Sequence, residues 1–248
     1  LLLCGPYTAK GIEVILEGNI VSAPYIDLTV RVMSDFGAQV LQTGKGQFQV
    51  GTQHMYTGTD YEVEGDASSA SYFFLASALL RKAIRVYGVS RRSSQGDMGL
   101  LDILEKVGCL VESGNRYVQV SAGDLISGDM TFDMGNLPDM VPTVGVLSAF
   151  RKGRTKITNV AHLRIKESNR LAAMTAELHR IGITVSELPD GLLIEGGEAR
   201  PASIETYNDH RIAMSFAVAG LAVPGITIAD KKCVDKSFPG FWRELEKI

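Results

Sequence analysis

The chain has 248 residues, 45% of them hydrophobic, 21% charged and 7% aromatic, a balance that excludes disordered and fibrous classes and suffices for one large or two modest cores. Twenty-five Lys and Arg against 28 Asp and Glu give a formal charge of -3, so there is no global basic field to capture nucleic acid or an anionic membrane, and any anion site must be local. Cys4, Cys109 and Cys233 lie far apart and show neither metal-ligand spacing nor an even number, which points to reduced structural thiols and a cytoplasmic setting.

In chain order, the opening Leu1-Leu2-Leu3-Cys4-Gly5-Pro6 has no initiator Met and no signal-peptide pattern, so the sequence is read as part of a longer chain. From there a unit recurs three times. Apolar residues at helical spacing (Ile26, Val30, Met33; Leu101, Leu104, Val107; Leu171, Met174, Leu178, Ile181) run up to Gly37, Gly108 and Gly182, which suit helix C-termini and are spaced roughly 70 residues apart. Alternating residues follow, as in Leu110 to Glu112 and Tyr117 to Val120 around a Gly/Asn turn, and predict a hairpin.

The other half of each unit is a helix apolar almost all round and then a strand: Tyr72 to Leu80 with Ile84 to Tyr87, Val141 to Phe150 with Lys156 to Val160, and Ile212 to Val223 with Ile226 to Ile228. Helices without a polar face belong inside, covered by sheets and by the amphipathic second helices. The uncharged run from Ile212 to Ala229 nears membrane-spanning length, but Ser215 and Pro224-Gly225 divide it into a helix and a strand. The last unit stops at Phe238, Trp242, Leu245 and Ile248, within its second helix and before any closing hairpin.

Polar residues gather at the starts of these helices: Asp66 with Ser68 and Ser69, Asp139 after Asn136-Leu137-Pro138, Asn208-Asp209-His210-Arg211, and, after strands, Ser22, Lys166-Glu167-Ser168-Asn169-Arg170 and Lys236-Ser237. Singly, each has a structural explanation. Asp66, Ser68, Asp139 and Asp209 are good N-caps, Glu167 and Arg170 suit an exposed i,i+3 pair, Arg211 suits a local pair with Asp209, and Lys236 suits a solvated loop. His54, His162, His179 and His210 show no metal spacing. Jointly, equivalent junctions of successive units carry Lys166, Arg170, Arg211 and Lys236 with the acids Asp139 and Glu167. Cations hold a substrate's anionic groups, and a carboxylate among cations stays ionised and moves a proton. That composition predicts a metal-free transferase acting on phosphorylated acids.

The segments EGDASSASYF, RIKESNRLAAM, TYNDHRIAMSF, KKCVDKSFPGF and SAPYIDLT, in order from about Gly18 to the last residue, resemble the C-terminal part of the 5-enolpyruvylshikimate-3-phosphate synthases. The resemblance implies an inside-out α/β barrel of repeated mixed units, helices inside and sheets outside, with residues 1–64 forming the incomplete last repeat of a first domain and 65–248 a second domain of three repeats. The missing hairpin of the last repeat would come from the first residues of the full chain; otherwise an orphan edge remains. It further implies transfer of an enolpyruvyl group from phosphoenolpyruvate to the 5-hydroxyl of shikimate 3-phosphate, without metal or organic cofactor, by a protein that is monomeric when full length. Asp139 and Glu167 would be the catalytic acids. Arg170, Arg211 and Lys236 would hold phosphoenolpyruvate; Lys166, Ser22 and Tyr25 would contact shikimate 3-phosphate, with His210 a further contact. The family often has Asn where this chain has His162, which can still donate a hydrogen bond.

Ser93-Ser94-Gln95 is similar to the family's substrate-binding Ser-Ser-Gln but aligns with a different loop of the next repeat and is left out of the site; the family's own Ser-Ser-Gln would precede Leu1. A UDP-N-acetylglucosamine enolpyruvyl transferase would share architecture and chemistry, and the Lys-Glu-x-x-Arg and Asn-Asp-His-Arg motifs argue against it. A noncatalytic piece of a multifunctional polypeptide is the alternative from another class. With half the site absent, the chain alone is expected not to turn over substrate.

Overall fold

A computed structural model describes residues 1–18 and 20–248. The chain forms two compact units, Leu1–Glu64 with Ser94–Gly96, and Gly65–Ser93 with Asp97–Ile248.

The first unit comprises β1 (Ile12–Ile15), α1 (Ala23–Asp35), β2 (Val40–Gly44) and β3 (Gln47–Val50), with β3 between the other two strands in an antiparallel sheet. Its small core is Met33, Ala38 and Val50, with Leu2, Ile12, Val40 and Tyr56 against it. α1 stops at Gly37, whose φ of +88 turns the chain so that Gly37 N–H reaches Ser34 O (2.9 Å) and Ala38 N–H reaches Met33 O (2.9 Å). This closure satisfies carbonyls that a helix end otherwise leaves orphaned. Gly182 repeats it in the second unit, at φ +87 with Gly182 N–H to His179 O and Ile183 N–H to Leu178 O, both 2.9 Å.

The second unit repeats one theme. Its first copy is α2 (Ala67–Leu80), β4 (Ile84–Tyr87), α3 (Leu100–Lys106), β5 (Cys109–Ser113) and β6 (Tyr117–Ala122). The second is β7 (Met130–Asp133), α4 (Val141–Ala149), β8 (Gly153–Thr158), α5 (Arg170–Arg180), β9 (Thr184–Leu188) and β10 (Gly191–Gly196). The third is β11 (Ser203–Ile204), α6 (His210–Ala222), β12 (Thr227–Ile228) and α7 (Phe241–Leu245). In each complete sheet the last strand of the hairpin lies in the middle, giving the orders β4-β6-β5 and β7-β8-β10-β9. The third sheet is only the parallel pair β11-β12; among the described residues no hairpin covers it. The leading strands β7 and β11, four and two residues long, were not anticipated from the sequence.

Helices lie inside and sheets outside in this unit, as expected, though the sheets stay separate and no closed barrel forms among the described residues. α2, α4 and α6 pack on one another in the centre. Every residue of α4 is buried. Gly145 lets α5 approach it closely, since a Cβ there would stand 2.6 Å from the Met174 methyl. Serines inside α2 are satisfied by carbonyls: Ser77 Oγ donates to Lys82 O and Val120 O (both 2.6 Å), and Ser71 Oγ to Ser68 O (2.6 Å). α5, by contrast, buries one stripe, including Leu171, Met174 and Leu178, against the core. No helix among the described residues is long and apolar enough to cross a membrane.

Candidate active site

Three helix starts of the second unit, those of α4, α5 and α6, deliver one ion network. Asp139 lies in a short 3-10 turn (Pro138–Met140) ahead of α4. Lys166 follows the 3-10 turn Ala161–Ile165 after β8, and Lys236 closes the equivalent turn of the next repeat, Lys232–Lys236, after β12. Repetition thus places the two lysines at corresponding positions.

Arg170, the first residue of α5, is the hub and is fully buried. Its Nε donates to Asp209 Oδ2 (2.7 Å), Nη1 to Asp139 Oδ1 (2.8 Å) and Nη2 to Glu167 Oε2 (2.7 Å). Arg211 Nη2 donates to Asp139 Oδ2 (2.9 Å), Lys166 Nζ stands 3.8 Å from Asp139 Oδ1, and Lys236 Nζ donates to Glu167 Oε1 (3.1 Å). Asp209, without solvent exposure, caps α6 by accepting from Arg211 N–H (3.0 Å), and also accepts from Ser168 Oγ (3.0 Å).

Several single-residue explanations fail here. Asp66 is an N-cap, accepting from Ser68 N–H and Ser69 N–H (3.1 Å each), but Ser68 is inside the helix and its hydroxyl donates to buried Asp97. Asp139 caps nothing; α4 begins after Met140 with no side-chain cap, and both Asp139 oxygens go to cations. Glu167 and Arg170 are an i,i+3 pair, but its arginine is buried rather than a surface ornament. Asp209 is the site member that sequence reading reduced to a cap; its only signal was its place in the Asn-Asp-His-Arg segment, because its partner lies 39 residues away in the chain.

The electrostatics follow from this crowding. Burial by itself would raise the Asp139 carboxyl, but Arg211, Arg170 and Lys166 outweigh it and hold it below the usual carboxylate range. Burial also works upward on Glu167, against a backbone N–H, Arg170 and Lys236, which bring it down to about 2. Both acids are therefore ionised. Burial and then Lys166 depress His162, and burial and then Arg211 depress His210, so both imidazoles are held neutral. His162 Nε2 and His210 Nδ1 are buried without a hydrogen-bond partner among the described residues. Tyr72, on α2, packs edge-on to Phe241 (5.8 Å) and turns its hydroxyl, pushed up to about 12 by burial, toward Arg211.

Ser22 and Tyr25 belong to the first unit. Ser22 takes a left-handed conformation (φ 58) before α1, with its hydroxyl making no cap bond, and Tyr25 is partly exposed in the first turn. His54 and His179 are exposed. Among the described residues no group of three or more His, Cys, Asp or Glu side chains is arranged to hold a metal ion. Chemically, the cluster brings four cations and three carboxylates together beside the starts of α4, α5 and α6, an arrangement suited to an anionic ligand that competes with the carboxylates for their cations.

The family model described as EPSP synthase (3-phosphoshikimate 1-carboxyvinyltransferase) matches residues 1–245. The chain is 43% identical over 242 residues to the 3-phosphoshikimate 1-carboxyvinyltransferase of Nostoc punctiforme, covering 98% of this chain and 57% of the relative. It is 40% identical over 248 residues to that of Trichormus variabilis, covering 100% and 58%. The EPSP synthase of Acinetobacter baumannii superimposes with a TM-score of 0.81 at 27% identity, covering 99% of this chain and 58% of that one. The enolpyruvyl transferase NikO from Streptomyces tendae, at 22% identity and a TM-score of 0.71 over 90% of this chain and 53% of that one, shares the fold. The chain thus spans less than three fifths of the length of these relatives.

Proposed function

The chain belongs to the EPSP synthase family, and from that premise we propose that it supplies the phosphoenolpyruvate-handling part of an enzyme that transfers an enolpyruvyl group to the 5-hydroxyl of shikimate 3-phosphate. The observation that carries this reading is the convergence of Lys166, Arg170, Arg211 and Lys236 on Asp139 and Glu167. Residues 1–64 are assigned to the last repeat of a first domain and 65–248 to a second domain. The missing N-terminal part would supply the rest of the site, in a monomeric cytoplasmic enzyme; the free thiols of Cys4, Cys109 and Cys233 accord with that compartment.

In this proposal Arg211 and Lys236 take the carboxylate and phosphate of phosphoenolpyruvate, while Lys166, His162 and His210 serve shikimate 3-phosphate; Ser22 and Tyr25, in the first unit, keep the shikimate 3-phosphate role that the resemblance implies for them. Arg170, with its guanidinium shared among three carboxylates, chiefly orients Asp139 and Glu167. Asp139, ionised before substrate arrives, accepts the 5-hydroxyl proton as that oxygen bonds to C2 of phosphoenolpyruvate. Glu167 must by then be protonated to give its proton to C3. The ligand phosphate makes that possible by drawing Lys236 from Glu167, which removes one of the influences holding that carboxyl down. Glu167 then takes a proton back from the new methyl group, the double bond reforms, and the bond from C2 to the phosphate oxygen breaks with its electron pair leaving on phosphate, which carries away the proton that Asp139 accepted.

The test is phosphate release from phosphoenolpyruvate and shikimate 3-phosphate by the chain alone, by the chain with its N-terminal part, and by the full-length Glu167→Gln variant. Activity only in the second case supports the reading. Turnover by the chain alone, or with UDP-N-acetylglucosamine in place of shikimate 3-phosphate, overturns it.

A further inference from the structure

Glu177 is a fully buried carboxylate one helix turn from the end of α5 that the proposed reaction does not use. Its Oε1 accepts from the Tyr207 hydroxyl (2.8 Å) and its Oε2 from Glu205 N–H (3.1 Å), while Arg180 Nε forms an ion pair with Oε2 (2.9 Å). The segment it grips is unusual. Tyr207 and Asn208 are successive non-glycine residues in the left-handed region, at φ 55 and 54, a conformation that asparagine tolerates but that a tyrosine keeps only where its surroundings enforce it. Immediately after them Asp209 donates its N–H to Thr206 O (2.8 Å), receives Arg170 Nε and starts α6, on whose second residue the Arg211 side chain is mounted.

Arg170 and Glu177 stand two turns apart on one face of α5. The same helix therefore holds the turn at both ends: Arg170 grips Asp209, and Glu177 grips Glu205 and Tyr207. We propose that Glu177 and Tyr207 are positioning residues that clamp the Tyr207–Asn208 turn and so aim Asp209 and Arg211 at the anion site; the link to phosphoenolpyruvate rests on the function proposed above. Glu177 touches no reacting group. Its effect passes through the backbone of 205–209.

The test uses the full-length enzyme. Tyr207→Phe keeps the ring and removes the hydroxyl, and Glu177→Gln keeps the volume and removes the charge. Each should speed amide exchange at Asp209 and Arg211 by about ten-fold or more while amides inside α4 stay within about two-fold. The KM for phosphoenolpyruvate should rise about five-fold or more, with that for shikimate 3-phosphate within about two-fold. Exchange at wild-type rates at Asp209 and Arg211, or a wild-type KM for phosphoenolpyruvate in either single variant, overturns the clamp. An unsubstituted enzyme that turns over no phosphoenolpyruvate would sink the functional reading instead, and the exchange measurement would still decide the clamp.

Discussion

Replacing Arg170 by Ala tests whether the hub holds the second unit together. Three carboxylates lose a partner at once, but not equally. Asp139 keeps Arg211 and Lys166, and Glu167 keeps Lys236. Asp209, fully buried, keeps among the described residues only the Ser168 hydroxyl and the Arg211 N–H, so its charge is the one left uncompensated. Stranding a buried charge in this way costs about 3–5 kcal/mol. For a domain of this size each kcal/mol lowers the melting temperature by about 2–4 °C, so the transition should fall by about 6–20 °C. Urea unfolding of the full-length enzyme at neutral pH, with the melting curve beside it, measures this. Because the loss resides in Asp209, adding Asp209→Asn to Arg170→Ala should be less harmful than the two single effects summed, a coupling of about 1 kcal/mol or more. A loss under about 1 kcal/mol for Arg170→Ala, or strict additivity in the double variant, would refute the reasoning.

Lys236→Ala and Arg211→Ala should each weaken phosphoenolpyruvate binding by about 2–5 kcal/mol in the full-length enzyme, with shikimate 3-phosphate binding nearly unchanged; calorimetric titration of each ligand checks it. Rapid quenching should find no tetrahedral adduct in Asp139→Asn despite near-normal phosphoenolpyruvate affinity, and Glu167→Gln should suppress exchange of the enol methylene hydrogens with solvent. Acid should destabilise the protein in two steps. His162 and His210 lie below their ordinary value of 6.5 when folded, so the unfolded chain takes up their protons first and stability falls as pH drops through that value. Asp139 and Glu167 lie low as well, so their contribution is present above an ordinary carboxylate pKa and lost toward about 2, where Glu167 protonates when folded. Urea midpoints across pH should show both steps, and Glu167→Gln should diminish only the lower one. Arg151, buried and bonded only to carbonyls and the Thr155 hydroxyl, including Gly128 O (2.6 Å) and Arg154 O (3.0 Å), should cost about 3 kcal/mol or more when changed to Met, measured by the same unfolding curves.

What the sequence by itself determined was local or periodic. Gly37, Gly108 and Gly182 end helices because only a residue without a Cβ takes their positive φ cheaply, and the preceding apolar spacing is visible in a window of a dozen residues. The all-round apolar character of α2, α4 and α6 likewise required them to be enclosed, and the absent closing hairpin was legible because the two earlier repeats possess one. Motif resemblance brought Asp139, Glu167, Lys166, Arg170, Arg211 and Lys236 together before any coordinates did. Tertiary structure alone decided which acid meets which cation. Asp139 and Arg211 are 72 residues apart, Glu167 and Lys236 are 69 apart, and nothing in a local pattern separates a capping aspartate from one whose two oxygens point at arginines. The same holds for Arg170, whose i,i+3 spacing to Glu167 looks like a surface pair until the packing of α4, α5 and α6 closes water out around it. Left-handed Tyr207 is the extreme case: Asn208 beside it is of a type that takes that conformation readily, but a tyrosine does not call for it, and the Glu177 carboxylate that holds its hydroxyl lies 30 residues away in the chain.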